Sequence, residues 1–582
     1  MRRLLESTIA MLAMGLFLWG CGTGTPRDAG DADHAAGPDA GEVSGGTDLP
    51  AGEEVGEGPG DLAEDVAPED LAANEEGPGD PGGDNVPADF GTDPGPRPPD
   101  PALRLRAAGW LSGDLHQHTT YSDGDDPVGI TIRIAESLQS PEFLAFHPEY
   151  EGNPIDFMAL TDHRTTNQNG DPDFRSDSII LLPGEEFGGP GHAGIWGLSS
   201  FVSHDPDGDG STLEDYRQGV RAAHDQGALF SMNHPVLPNH LFGWHLTDHD
   251  AMEVWNTRWG LQGVPTTEAD LAAWEAANGP ANPAIRRAIR VQDEGASGQF
   301  LRFYEAQLSL GVHVALVGGS DRHALFPMGF PSTWVRAPSR DVAGVLSGIR
   351  ARHTFVTRSP VGATIEMAVA AGDVAYEMGD EVPVPAEGAE VTIDLRVTRA
   401  RDGRVRLVRG GAHSPDQEPP DWPLGEVAFE AAIESDDASF QVTLAVGPGD
   451  WVYPVVHEPM TPRGLDPDLA AQAERIARMA SEFTESNYAP IIEALLDYLD
   501  LAVVVAPEDC DPRDWIATNA QCLPADTNGL ATFFLPDWID RAFNGLTEGG
   551  QSTGWSMGAL GSAVRFVATP EPVSRSFGRA RR

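Results

Sequence analysis

Thiols are nearly missing, with three cysteines in 582 residues: Cys21, Cys510 and Cys522. So few cannot staple a disulfide framework, and no Cys-x-x-Cys spacing offers a thiolate zinc or redox motif. Positive charge is scarce as well. Lys and Arg total 38 against 90 Asp and Glu, a formal net charge of −52, and no arginine cluster follows an aromatic stripe. Binding to nucleic acid through phosphate contacts is therefore not expected. A membrane-spanning run is missing too, because the apolar stretch Ile9 to Trp19 falls short of the ~20 residues that cross a bilayer. No internal repeat occurs.

What stands at the start is an address. Arg2 and Arg3, the short apolar run and Gly20-Cys21 have the build of a signal peptide. Leu18-Trp19-Gly20-Cys21 resembles a bacterial lipobox, which implies a lipoprotein signal over residues 1–21 and a lipid on Cys21. Export and anchoring to the outer membrane are the expectation. Residues 22–100 are mostly Gly, Pro, Ala, Asp and Glu, with too few large apolar side chains to offset the entropy of ordering a chain. A disordered acidic tether is expected, extended by its own charge. In an oxidising compartment Cys510 and Cys522, close together in a polar loop, are expected to pair.

From Gly109 to Thr357 short apolar runs recur, each closing on polar residues: 109–118, 155–163, 179–187, 192–201, 227–234, 251–257 and 312–323. Helical patterns fit between them at Pro127 to Leu138, Thr212 to Gln226 with Thr212 as cap, Glu268 to Ala277, and Phe300 to Leu310. That rhythm predicts an α/β fold, a distorted (β/α)7 barrel over residues 101–360. Beyond it, alternating segments predict an antiparallel β-sandwich at 361–460 that packs against the barrel. Residues 461–582 are expected to hold a helical stretch from Pro467 to Leu501, the disulfide loop, a returning strand at Leu530 to Ile539 and a flexible Gly/Ser-rich tail.

The chemistry lies at the ends of the barrel runs. His116 and His118 stand two apart, so a pleated strand turns both to one face. Asp123 follows, Asp162-His163 closes the second run and Glu185-Glu186 the third, His192 opens the fourth, His234 ends the fifth, and Asp321-Arg322-His323 ends the seventh. A lone His-x-His is often a surface pair. Donors placed in order at the carboxyl ends of strands, where barrel enzymes build their sites, are much more specific.

Asp-Leu-His-x-His-Thr-Thr-Tyr-Ser-Asp-Gly, Leu-Thr-Asp-His, Leu-Pro-Gly-Glu-Glu, Gly-His-Ala-Gly-Ile-Trp-Gly-Leu, Asn-His-Pro, Glu-Val-Trp-Asn, Gly-Gly-Ser-Asp-x-His and Thr-Phe-Val-Thr appear in this order between Gly109 and Pro360. In these motifs the chain resembles the polymerase-and-histidinol-phosphatase (PHP) superfamily, particularly its CehA/McbA-like metallohydrolases. The resemblance implies a seven-stranded distorted barrel with two or three metals in its mouth. Carried over residue by residue, the ligands would be His116, His118, Asp123, His163, Glu186, His192, His234, Asp321 and His323, with Asp321, His323 and His234 the most essential to catalysis. The Gly-x-Glu spacing favours Glu186 over Glu185, which projects oppositely from the strand.

Nitrogen and oxygen donors without thiolate suit zinc, manganese or iron. Such ions lower the pKa of bound water and polarise the bond to be cut, so hydrolysis of a small-molecule phosphoester or of a carboxyl or carbamate ester is expected. Arg164 and Arg258 are candidates to meet an anionic substrate, and Arg322 is expected to point away from the ligands. Trp110, Trp196, Phe242, Trp244, Trp255 and Trp259 offer either apolar walls or core packing, and His240, His245 and His249 a rim. His147, His204, His224 and His313 are left as structural or exposed. Asp205, Asp207 and Asp209 match the opening of a calcium loop, but its twelfth position is Tyr216 and Asp215 comes one residue early. The alternative class is a non-catalytic metal- or carbohydrate-binding surface lipoprotein. Against it, no motif has lost a ligand.

Overall fold

The computed structural model describes residues 101–569 apart from 147–149, 190, 209, 236–245, 257–271, 273–275, 277–295, 324–327, 413–424 and 460–554. A helix α1 (Pro101–Ala107) leads into β1 (Trp110–Asp114), followed by α2 (Val128–Ser137), α3 (Pro141–Phe146), β2 (Phe157–Leu160), β3 (Ile180–Phe187) and β4 (Ala193–Trp196). Next come α4 (Leu213–Asp225), β5 (Leu229–Met232), β6 (Ala251–Asn256), α5 (Ala296–Ser309), β7 (Ala315–Gly319), β8 (Ser332–Arg336), α6 (Val342–Arg350) and β9 (Thr354–Thr357). Strands β1 to β7 coincide with the seven apolar runs, and α2, α4 and α5 with three of the expected helices. The fourth, Glu268 to Ala277, falls almost wholly outside the described residues.

Strands β1, β2 and β3 are parallel neighbours, β4 is antiparallel to both β3 and β5, and β5, β6 and β7 are again parallel. A tight turn joins β3 to β4 where a strict (β/α)7 repeat would place a helix. Because β4 starts where β3 ends, His192 just before it lies at the same end as the other strands' carboxyl ends. Gly188 makes the turn possible: its φ is +119°, and a Cβ there would sit 1.9 Å from the Gly191 carbonyl oxygen.

At the edge where the expected distorted barrel would close, the backbone ladder is incomplete. Strand β8 pairs with β1, and β9 with β8, but among the described residues no backbone ladder joins β7 to either. Side-chain hydroxyls satisfy that edge instead. Thr333 Oγ1 accepts from Gly318 N (2.8 Å), Thr354 Oγ1 donates to Leu316 O (2.7 Å), and Ser562 Oγ accepts from Leu316 N (3.1 Å). The architecture is a mixed α/β assembly dominated by sheet. One apolar cluster, including Leu111, Phe157, Leu182, Trp196, Leu229 and Val317, unites β1 to β5 with β7 and also takes in Val345 and Ile349 of α6.

The rest of the chain is antiparallel in the main and lies in two layers. It comprises β10 (Thr364–Ala371), β11 (Val374–Glu377), β12 (Glu381–Val384), β13 (Ala389–Thr398), β14 (Arg404–Gly410), β15 (Glu426–Ala432), β16 (Asp437–Val446), β17 (Trp451–Pro459), β18 (Trp555–Gly561) and β19 (Val564–Ala568). Strands β11, β10, β13 and β16 form one four-stranded sheet. The others extend the site-bearing sheet itself, because β18 pairs with both β9 and β17. Alternate residues Val391, Ile393, Leu395 and Val397 of β13 share a core with Val382, Val405, Val456 and Phe566 of the second layer. Residues 555–568 thus form strands within the stretch read as a flexible tail. The expected helix at Pro467 to Leu501, the strand at Leu530 to Ile539, Cys510 and Cys522, and everything before Pro101 lie outside the described residues. Among the described residues, no helix is long and apolar enough to cross a membrane.

Candidate metal centre

Most of the donor-bearing segments lie just outside regular pairing, whereas Glu186 stands within β3, paired to Gly194 of β4. Strand β1 ends at Asp114, whose buried carboxylate accepts from His116 N (3.2 Å), Ser320 N (3.1 Å) and Gly329 N (2.8 Å), tying the His116 segment to the one carrying Asp321. Burial raises the Asp114 pKa, and those hydrogen bonds oppose the rise. Asp162 does similar work beyond β2. It accepts from Thr119 N (2.7 Å), Thr119 Oγ1 (2.9 Å) and Ser122 Oγ (2.7 Å), shaping the turn that presents Asp123. Three non-glycine residues at or beside ligand positions have left-handed backbone: Arg164 (φ 50°), His234 (φ 29°) and Asp321 (φ 51°). Each such residue costs roughly 1–2 kcal/mol, and strain of this kind collects at functional sites.

All nine carried-over positions converge. Glu186 lies at the centre: its Oε1 is 3.0, 3.3 and 3.4 Å from ring nitrogens of His116, His192 and His234, and its Oε2 is 3.3 and 2.9 Å from those of His118 and His163. Asp321 Oδ1 is 3.3 to 3.5 Å from His118, His116 and His323. Asp123 Oδ1 is 3.0, 3.6 and 3.7 Å from His323, His163 and His118. Four overlapping donor groups result: His118, Asp123, His163 and His323; His116, Glu186 and His234; His116, His118 and Asp321; His163, Glu186 and His192. The set opens to solvent beside Asp123, 38% exposed, whereas Glu186 is fully buried.

Two donor atoms about 2.1 Å from one tetrahedral ion would sit about 3.4 Å apart, a spacing that many of these separations match. Other details fit a cation. His116 Nε2 and His118 Nε2 face each other at 3.2 Å. Glu186 Oε2 and His163 Nδ1 are 2.9 Å apart and buried, yet neither has a partner in hydrogen-bond geometry. Burial works against charge on His118, but Asp321 and Glu186 outweigh it and raise the group to about 9. Burial likewise opposes ionisation of Glu186, and His192, His116 and His163 overcome it to hold the carboxyl well below its usual range. His163, with burial dominant, drops to about 4 and presents a neutral ring.

The other candidates sort differently. Arg322 is buried in an ion pair with Asp126 and does point away from the ligands. Arg164 is half-buried beside the centre, and its N–H donates to Glu186 O (2.9 Å). Trp110, Trp196 and Trp255 are core packing, with Trp196 Nε1 donating to Leu115 O (2.9 Å). His204 bonds Ser211 (2.7 Å), His224 pairs with Asp250 (2.7 Å), His313 meets Ala563 O (2.9 Å), and His249 is buried rather than on a rim. Arg258, Phe242, Trp244, Trp259, His147, His240 and His245 lie outside the described residues.

The segment considered for calcium leads into a capped helix. Asp205 accepts from Gly208 N (2.9 Å) and Gly210 N (3.2 Å), Asp215 completes a capping box with Thr212 at the start of α4, and Asp209 is outside the described residues. Glu185 does turn from the centre, accepting from Val202 N (3.3 Å), and burial pushes its carboxyl up to about 8. Sequence reasoning passed over Asp114, Asp162, Asn233, Glu253 and Asn256, which touch ligands or their backbone. Asn233 Nδ2, for one, donates to Glu186 Oε1 (3.0 Å). The motifs Asn-His-Pro and Glu-Val-Trp-Asn were the signal that would have found three of them.

No family model and no curated protein match the chain. Among solved structures, a two-domain protein from Bacteroides vulgatus containing a predicted PHP-like metal-dependent phosphoesterase is similar at 17% identity and TM-score 0.27, over 60% of this chain and 90% of that one. PsfC from Pseudomonas syringae is similar at 15% identity and TM-score 0.26, over 42% and 90%. A lesion-specific endonuclease from Pyrococcus furiosus is similar at 11% identity and TM-score 0.25, over 77% and 95%. These likenesses are distant, and the donor geometry itself carries the chemistry.

Proposed function

We propose that the chain is a metal-dependent hydrolase of the PHP type, close to the CehA/McbA-like branch, that holds two or three zinc, manganese or iron ions on the nine converging donors. The carrying observation is the fully buried Glu186, whose two oxygens both lie within 3.4 Å of histidine nitrogens, five rings in all. A carboxylate so placed would help hold such ions with both of its oxygens. Divalent ions held there would activate water near neutral pH and withdraw charge from a phosphoryl or carbonyl oxygen. Asp321 and His323 at the end of β7 and His234 beyond β5 complete the cradle, so their loss should remove activity.

The substrate class follows from what surrounds the donors. A phosphomonoester dianion calls for several added cations; Arg164 lies beside the centre, but Arg322 is committed to Asp126 and no lysine stands near the motifs. Tyr121, 40% exposed on the turn that carries Asp123, offers an aromatic surface instead. Phosphodiesters, or carboxyl and carbamate esters with an apolar leaving group, are the proposed substrates. Catalytic efficiencies on nitrophenyl phosphate, bis-nitrophenyl phosphate and a naphthyl carbamate test this. Preference for the monoester would contradict it. Asp321→Asn should lower every activity by more than about 100-fold, since even an outer-shell partner is worth roughly 10- to 100-fold.

The proposal includes the protein's place: exported, with a lipid on Cys21 fixing it to the outer membrane. Arg2-Arg3, the run from Ile9 to Trp19 and the lipobox-like Leu18 to Cys21 support it. Cys21→Ser should move the protein from the membrane fraction to the soluble one, and a variant that stays with membranes would refute the anchor.

A further inference from the structure

Resting on the metal reading above, we infer that Glu253 is a positioning residue that, with Asn256, braces ligands from three different strands by fixing which nitrogen of His116 faces the metals. Both residues belong to β6, and both are buried. In a regular strand residues three apart point to opposite faces. Here the register between β6 and β7 shifts between Glu253 and Trp255. Such a bulge resets the alternation and lets both polar side chains enter the site while Val254 and Trp255 pack in the core.

Three contacts converge on the Glu253 carboxylate. His116 Nδ1 lies 3.0 Å from Oε1, while His234 N and Asn256 Nδ2 donate to Oε2 at 3.0 and 2.9 Å. Asn256 Nδ2 also reaches Asp321 Oδ2 at 3.3 Å. The brace therefore links His116 beyond β1, the left-handed backbone of His234 beyond β5, and Asp321 beyond β7. Room for it comes from a missing side chain. A Cβ on Gly319 would sit 2.5 Å from His116 Cβ and 2.8 Å from Glu253 Oε1.

Acceptors on both oxygens are what the geometry demands. With Nδ1–H donating to Glu253, the Nε2 lone pair of His116 faces Glu186 and Asp321, where an ion would sit. An amide in the carboxylate's place has one oxygen and one NH2. If the oxygen faces His116, the NH2 meets the donors of His234 and Asn256. If it turns over, the NH2 faces His116 Nδ1, the proton moves to Nε2, and that nitrogen can no longer ligate.

The test compares the full-length chain with its Glu253→Gln and Asn256→Ser variants. Zinc affinity is read by chelator competition, zinc content at saturation by elemental analysis, and the His116 tautomer by ring-nitrogen NMR of the zinc-loaded protein. Expected are a roughly 10- to 100-fold weaker affinity in Glu253→Gln with saturating content unchanged, an altered His116 ring signature, and a smaller loss in Asn256→Ser. Wild-type affinity and an unaltered signature would overturn the brace. Loss of a whole equivalent of zinc at saturation would overturn it differently, by making Glu253 a ligand. If Glu253→Gln does not fold, Asn256→Ser decides alone, and wild-type affinity there overturns the inference. A wild-type chain that takes up no zinc, manganese or iron would instead fail the metal reading on which the brace depends.

Discussion

Two histidines outside the centre make the protein's stability sensitive to acid. Burial pushes His249 down to about 3, and burial joined by repulsion from Arg406 and Arg404 does the same to His457. Each is neutral when folded at a pH where the unfolded chain would bind a proton. Their share of stability is therefore complete above about pH 6.5 and falls as the pH drops toward 3, by up to ~1.4 kcal/mol per unit for each. Glu185 acts in the opposite sense. Its carboxyl is raised to about 8 by burial, so its share is present below about pH 4.5 and is lost as the pH rises through 8. Melting temperature should peak near pH 6.5, with a shallower alkaline limb in Glu185→Gln and a shallower acid limb in His249→Gln. Limbs unchanged in both variants would contradict these assignments.

At the scale of elements, strands β1 to β7 were legible because they are short apolar runs, most of them bounded by one of the candidate donors. Thr212 was legible as a cap, but Asp215, weighed as an early calcium ligand, is the other half of that capping box. Strands β18 and β19 were not legible. The Gly- and Ser-containing β18 (Trp555–Gly561) has weak strand preference by itself and is set by its neighbours β9 and β17, while Val564–Ala568 alternates like a strand but is only five residues long. Ser562, between the two strands, accepts from the buried Leu316 N–H of β7 and also contacts Thr354 Oγ1 at 2.7 Å. Ser562→Ala should leave that amide without its acceptor and cost about 1–3 kcal/mol, visible as a lower melting temperature. An unchanged melting temperature would mean that the hydroxyl does not secure the β7 edge.

For the whole molecule, the convergence of nine candidate side chains could be read ahead because metal chemistry restricts residue type and strand ends restrict place. The layer behind them could not. Asp114, Asp162, Glu253 and Asn256 are ordinary acids and an amide until the fold sets their partners, and a bulge in β6 leaves no mark in periodicity. How the sheet ends at β7 was not legible for a related reason. Whether β7 meets its neighbours by backbone or by Thr333, Thr354 and Ser562 depends on contacts far apart in sequence. Elemental analysis of the purified full-length chain, as isolated and after reconstitution with zinc, manganese or iron, tests the central claim most directly. Two or more transition-metal ions per chain are expected, with fewer in Glu186→Gln because that carboxylate faces donors on both oxygens. A chain that holds none, even after reconstitution, would contradict the metal centre and the hydrolysis built on it.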